Sequence, residues 1–301
     1  MSLNKPIIII GAARSGTTML GNILAMHPDI AYLEEPNVIW KYKNAYKKID
    51  IFTEKDATND IIYYINNFFS KFLKNKNKIR LLEKTPSNTL RLSFVRKIFP
   101  KSKVIVVIRD GRNVAVSARK KWLYEEDKNT EKLKKNISHK KQHFKQQIKK
   151  FLQTPFFDKP YYIKEIFFEI LFHLGLKKRM VWGPKIPGIY DLVKTLSPIE
   201  VCAMQWKFCV EYTYTQYLLD KNKEDFIFIR YEDFLEDPKR DLEKILNHCE
   251  LEIPDNFSAM YKKIQNMNIE VWKKELNNNE IKKVSLIMND LLLKHGYLYE
   301  K

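Results

Sequence analysis

The chain reads as an α/β protein: a central parallel sheet covered by helices on both faces. Short, largely apolar runs at residues 7–10, 79–82, 104–108 and 226–231 have strand length and are broken only by Arg80 and Arg230, as strands buried on both faces are. Helical patterns lie between most of these runs, the alternation expected of crossover connections. The first run passes directly into a glycine-bounded turn and then a helical pattern, so the chain opens on a strand, a tight turn and a helix.

In order, Pro6-Ile-Ile-Ile-Ile10 is the first strand, and its β-branched residues suit a pleated, packed surface. It reads as a buried strand rather than a signal peptide, since it ends at a glycine-containing loop without a small-residue cleavage site. Residues 19–26 form the first helical pattern, which stops before His27-Pro28. Residues 30–33 could supply another strand. The run at 79–82 leads to Thr85-Pro86, which reads as a helix N-cap with proline in the first turn. The run at 104–108 ends at Arg109-Asp110-Gly111-Arg112, and a helical pattern resumes over 113–119. Residues 120–196 break the alternation with a lysine-rich tract (128–150) followed by an aromatic tract containing Phe156, Phe157, Tyr161, Tyr162, Phe167, Phe168 and Phe172. They are expected to form a helical insertion on one domain spanning residues 1–301. The lysine-rich part reads as a solvated helix face. The aromatic part is open between ordinary packing and a surface that touches an acceptor or a membrane.

The 301 residues carry a formal charge of +18, a field that concentrates anionic partners. Neither an RNP-like aromatic motif nor zinc-finger spacing is present, so a nucleic-acid partner is not expected. No apolar stretch of about 18 residues occurs, which argues against a spanning helix. Cys202, Cys209 and Cys249 are too few for a disulfide framework and lack metal-site spacing, so they are expected to be reduced core residues of a cytoplasmic protein. A peripheral contact with the inner membrane face through the insertion stays open. His139 and His143 share a helix face by spacing, but the lysines around them argue against a metal.

Two segments carry chemistry. In Gly11-Ala-Ala-Arg-Ser-Gly-Thr-Thr18, the turn and the helix start direct several backbone N–H groups at one point, an anion cradle. The Gly11-x4-Gly16 spacing is that of a nucleotide-binding P-loop, which requires Lys after the second glycine. Thr17 stands there instead, and Arg14 supplies the cation from within the loop, with Ser15, Thr17 and Thr18 as hydroxyl donors. Further on, Arg109 emerges at the carboxyl edge of the sheet, where ligands bind in open α/β folds, and Ser117 lies two turns along the next helix. The pair suits a second phosphate. A turn with an internal ion pair is the competing reading of Arg-Asp-Gly-Arg.

Together these segments resemble the sulfotransferases that use 3′-phosphoadenosine 5′-phosphosulfate (PAPS), most closely the bacterial relatives of the protein-tyrosine and carbohydrate enzymes. The resemblance is carried by Gly11 to Leu20, by His27-Pro-Asp29 with Glu34-Glu35, by Glu83-Lys-Thr-Pro86, by Val107-Ile-Arg-Asp-Gly-Arg112 through Ser117, and by Tyr231-Glu-Asp-Phe234 with Pro238. It implies a P-loop-like three-layer fold and no metal. It also implies that Arg14, Ser15, Gly16, Thr17 and Thr18 hold the 5′-phosphosulfate end, and that Arg109 and Ser117, with the family's eight-residue spacing, hold the 3′-phosphate. Tyr231 is a further candidate for nucleotide contact, with plain packing as its alternative.

Arg14 and Lys84 are then expected to stabilise charge on the leaving phosphate. Glu35, twenty-one residues after Arg14 as in the tyrosine-sulfating branch, is expected to act as general base, with Glu34 as its immediate rival. An exposed Lys84 beside a helix cap is the competing reading for that residue. His27 reads as structural. Residues 268–274 are the expected counterpart of the loop that closes over adenosine. Glu270 stands there where related enzymes often carry a small hydroxyl residue, and Trp272, Lys273 and Lys274 are left without assigned roles. The acceptor is a hydroxyl, with a glycan or lipid-linked saccharide preferred mildly over tyrosine or a small molecule. Two other classes remain: a nucleotide kinase or NTPase using Asp110 as a Walker-B carboxylate, and a non-enzymatic protein that binds anionic surfaces.

Overall fold

A computed structural model describes residues 3–132, 158–161, 163, 181–264 and 270–297. Its centre is a five-stranded sheet of β1 (Ile7–Ile10), β2 (Ile30–Glu34), β3 (Arg80–Lys84), β4 (Lys103–Ile108) and β5 (Phe226–Arg230), in the order β2-β3-β1-β4-β5 with every pair parallel. The alternation of side chains along a strand explains the three layers. Ile8 and Ile10 of β1 face one apolar cluster while Ile7 and Ile9 face another, and all four are fully buried.

The second cluster is roofed by helices α1 (Thr17–Leu24) and, later in the chain, Pro238–His248. The first is roofed by α2 (Asn59–Lys76), α3 (Leu92–Ile98), α4 (Gly111–Lys132), α5 (Pro198–Leu219) and, after α6 (Pro238–His248), by α7 (Asn278–Lys294). Ser197 and Glu200 form a capping box at the start of α5, with Pro198 in its first turn.

Strand β3 extends to Lys84 rather than stopping at residue 82, which puts Glu83 and Lys84 inside the sheet. The first helix starts at Thr17, two residues earlier than its apolar pattern, because Gly16 in a left-handed conformation (φ 92°) lets the chain turn directly into it. Thr85-Pro86 opens a five-residue 3₁₀ helix, Pro86–Leu90. At the two ends of the expected insertion, Trp122, Ile186 and Ile189 belong to the main core. The lysine-rich tract from 133 onward, His139, His143 and the aromatic residues other than Tyr161 lie outside the described residues, as do 268 and 269 of the expected adenosine loop. No helix among the described residues is long and apolar enough to cross a membrane.

Candidate active site at the carboxyl edge of the sheet

In a parallel sheet every strand ends on the same edge, so five chain segments emerge together: 11–18 after β1, Glu35 after β2, Lys84 at the end of β3, Arg109 after β4 and Tyr231 after β5. Each candidate residue from the sequence lies on this edge or on the helix that follows it. The chain passes from β1 to one side of the sheet and from β4 to the other, which places the crevice of an open α/β fold between β1 and β4.

Contacts across that crevice join the two segments expected to bind phosphates. Arg14 Nε donates to Ser117 Oγ at 3.0 Å, and an Arg109 guanidinium nitrogen donates to the Arg14 carbonyl oxygen at 3.3 Å. Arg14 sits at φ 76°, a left-handed conformation that is strained for a side chain other than glycine. The Arg109 guanidinium stacks on the Tyr231 ring, 4.4 Å from its centroid. That ring in turn lies against Gly16, where an added Cβ would come within 2.3 Å of it. Gly11 is constrained similarly, since a Cβ there would lie 2.6 Å from the Val107 carbonyl oxygen. Burial pushes the Tyr231 hydroxyl upward, and the Arg109 charge opposes it.

The residues present fit an anionic nucleotide. Ser15 Oγ and Arg109 Nε are buried without hydrogen-bond partners among the described residues, and both belong to the crevice. The first-turn amides of α1 have no partner within their own helix. Asp110 does not serve as a free carboxylate: it accepts from Arg112 Nε at 3.0 and 3.2 Å and from another guanidinium nitrogen at 2.7 Å. The internal ion pair of Arg-Asp-Gly-Arg thus forms from Asp110 and Arg112, and it leaves Arg109 on the crevice side, stacked on Tyr231. Arg112 also stacks on Trp272 at 4.0 Å, and the Trp272 amide donates to Asn113 at 3.3 Å, which ties the C-terminal segment to the start of α4.

Lys84 is buried, not exposed beside a cap. Register explains it: Lys84 pairs with Ile9 and Glu34, on the α1 side of the sheet, whereas Glu83 pairs with Ile8 on the opposite side. The Lys84 ammonium reaches Glu34 at 2.9 Å and Glu35 at 2.7 Å. Glu34 accepts also from Thr18 Oγ1 at 3.0 Å. Partial burial pushes the Glu34 carboxyl up, but the Lys84 and Thr18 hydrogen bonds prevail and hold it below the ordinary carboxylate range. Glu35 has a positive φ of 50° and is fixed by its amide bonding to the Lys84 carbonyl oxygen at 2.9 Å. The two rival carboxylates are thus distinct in surroundings, though both are near half exposed.

Behind them lies a group that sequence reasoning did not single out. Glu83 is fully buried and accepts from Trp40 Nε1 at 2.9 Å, from Asn88 Nδ2 at 2.9 Å and from the Thr85 hydroxyl. Burial raises it to about 7 despite those bonds. A carboxylate within the apolar run at 81–83 was the available signal. His27 is structural as expected: one ring nitrogen pairs with the Glu252 carbonyl oxygen at 3.0 Å and the other accepts from the Asp29 amide at 3.1 Å. The three cysteines are free and buried.

The fold and this edge define a P-loop-like α/β protein with an arginine inside its first loop instead of a lysine after it. A family model described as the sulfotransferase family matches residues 6–171, and the chain belongs to that family. It is 30% identical over 122 residues to protein-tyrosine sulfotransferase A of Caenorhabditis elegans, covering 36% of this chain and 31% of that one. It is 24% identical over 130 residues to the nodulation protein NoeE of Sinorhizobium fredii, covering 38% and 31%. The matches thus span about a third of the length of these curated relatives. In fold it is similar to the sulfotransferase STF9 of Mycobacterium avium, with a TM-score of 0.53 at 10% identity over 98% of this chain and 77% of that one. It is also similar to the sulfotransferase domain from the curacin biosynthetic pathway, with a TM-score of 0.51 at 14% identity over 97% and 98%.

Proposed function

We propose that this chain transfers the sulfuryl group of PAPS to an acceptor hydroxyl, releasing 3′-phosphoadenosine 5′-phosphate (PAP). The observation that carries the reading is the joining of the two anion-binding segments across one crevice, through Arg14–Ser117 and Arg109–Arg14. In this reading Arg14, Ser15, Gly16, Thr17 and Thr18 hold the 5′-phosphosulfate, Arg109 and Ser117 hold the 3′-phosphate, and Tyr231 supports Arg109 from behind. The acceptor oxygen attacks sulfur, the bond from sulfur to the bridging phosphate oxygen breaks, and the acceptor proton passes to Glu35. Arg14, Lys84 and the α1 amides offset the charge that grows on the leaving phosphate.

The pairing of Asp110 with Arg112 supports this over an NTPase, because the carboxylate that would hold magnesium already has both oxygens engaged. For the acceptor, a saccharide hydroxyl is preferred mildly over tyrosine or a small molecule, and the exposed rings of Tyr46 (54%) and Tyr161 (42%), with centroids 6.3 Å apart, offer a surface on which a sugar could stack. A panel of saccharide, tyrosyl and small-molecule hydroxyls, scored by PAP release from PAPS, sorts these classes.

The donor is tested by thermal-shift titration with PAP beside ATP and Mg²⁺, using wild type, Arg14→Ala and Arg109→Ala. Stabilisation by micromolar PAP that is lost in both variants is the expected result. Greater stabilisation by ATP with Mg²⁺, or none by either nucleotide, overturns the reading.

A further inference from the structure

The two carboxylates over Lys84 are engaged differently, and the difference concerns the donor loop. Oε1 of Glu34 accepts from Lys84 Nζ and from Thr18 Oγ1 together, at 2.9 and 3.0 Å. Thr18 lies in the first turn of α1, at the cradle. A threonine hydroxyl has a single proton to donate, so while it points to Glu34 it cannot donate to a phosphate oxygen. Lys84, whose side chain is 1% exposed, has three protons, and the two carboxylates take two of them. An ammonium this deeply buried is strongly disfavoured without a counter-charge. Glu34 provides one from the edge strand, on the same face of the sheet as Lys84.

We propose that Glu34 is a positioning residue which holds the Thr18 hydroxyl and the Lys84 ammonium in the donor-free protein and releases both to the anionic donor when it binds. This rests on the PAPS reading above. Glu35 has the opposite assignment: it contacts Lys84 but not Thr18, so it stays beside the ammonium as proton acceptor. The charged and titratable groups around Glu34 are Lys84 on β3, Glu35 next to it, Tyr32 two residues back on β2, and Glu83 behind the sheet.

The proposal has a direction that a purely structural role lacks. If Glu34 competes with the donor for Thr18 and Lys84, removing its charge strengthens anion binding. Calorimetric titration of PAP into wild type, E34Q, T18V and the E34Q/T18V double variant reads this, with far-UV circular dichroism and a melting curve confirming that each is folded. E34Q is expected to bind PAP about fivefold more tightly, because a negative charge beside the cradle no longer opposes the anion or holds Thr18 and Lys84. T18V is expected to weaken PAP binding more in the E34Q background than alone, because a neutral amide oxygen holds the hydroxyl less strongly than the carboxylate does and yields it more readily to the donor. Wild-type binding with E34Q equal or weaker, and with the two substitutions additive, overturns the proposal and leaves the donor reading intact. Folded wild type that does not bind PAP overturns the donor reading and the proposal with it.

Discussion

Glu83 links the stability of this protein to pH in a way that can be isolated. Its carboxyl is fully buried, and burial raises it from 4.5 to about 7, with the bonds from Thr85, Trp40 and Asn88 and the nearby Arg91 charge pulling the other way. Between those two values the folded chain keeps a proton that the unfolded chain has already lost. The contribution is therefore fully present below pH 4.5, falls as pH rises, and is gone above about 7. A shift of this size corresponds to about 3 kcal/mol. Glu83→Gln has nearly the same shape and no titration, so the difference between the two unfolding free energies carries the Glu83 contribution. Urea unfolding at intervals from pH 4.5 to 8.5 should show wild type losing about 3 kcal/mol relative to the variant over that range. The amide must turn one N–H₂ toward Trp40 and Thr85 or toward Asn88, which adds an offset that does not vary with pH. A difference that is flat with pH refutes the reasoning, since it means that Glu83 ionises in the fold as it does in the unfolded chain.

Other perturbations follow from the same geometry. Gly16→Ala should cost about 2 kcal/mol in urea unfolding, because alanine resists φ 92° and its Cβ meets the Tyr231 ring at 2.3 Å. Adding Tyr231→Ala should relieve the steric part alone, so a double variant with no recovery counts against the contact. Asp50→Ala should cost about 3–5 kcal/mol, since it strips the carboxylate shared by buried Arg91 (3.2 Å), Lys41 (3.1 Å) and the Lys185 amide (2.8 Å). Burial alone would push Asp50 up, yet Arg91 and Lys41 hold it below the usual range, so its contribution weakens as pH falls through the depressed folded value, and acid unfolding of wild type tests this sign. Burial pushes the thiols of Cys202, Cys209 and Cys249 up to about 12. A disulfide reagent at pH 8 should leave all three unreacted in the folded protein and modify them in denaturant.

Much of the architecture was legible because its signals are local. Four isoleucines in a row and the valine-rich run before Arg109 are short and β-branched enough to read as strands buried on both faces, and Gly11 to Thr18 carries its turn chemistry within eight residues. The convergence of candidate residues on one edge follows from the sheet being parallel. The errors were equally local: a charged pair, Glu83-Lys84, looked like the end of a strand, because propensity does not reveal that such residues will find partners in the interior.

What the sequence determined by itself was the kind of fold, the glycine-bounded loop with arginine in place of the P-loop lysine, and the residue types available around it. The tertiary structure decided which of those residues meet. Arg14 and Ser117 are 103 positions apart and come together only because β1 and β4 are neighbours in the order β2-β3-β1-β4-β5. Strand register then put Lys84 on the α1 face with Glu34 and Thr18, and its neighbour Glu83 on the other face among Trp40 and Asn88. A one-residue slip would exchange those faces, so the roles of adjacent charges are set by long-range pairing that no local pattern encodes.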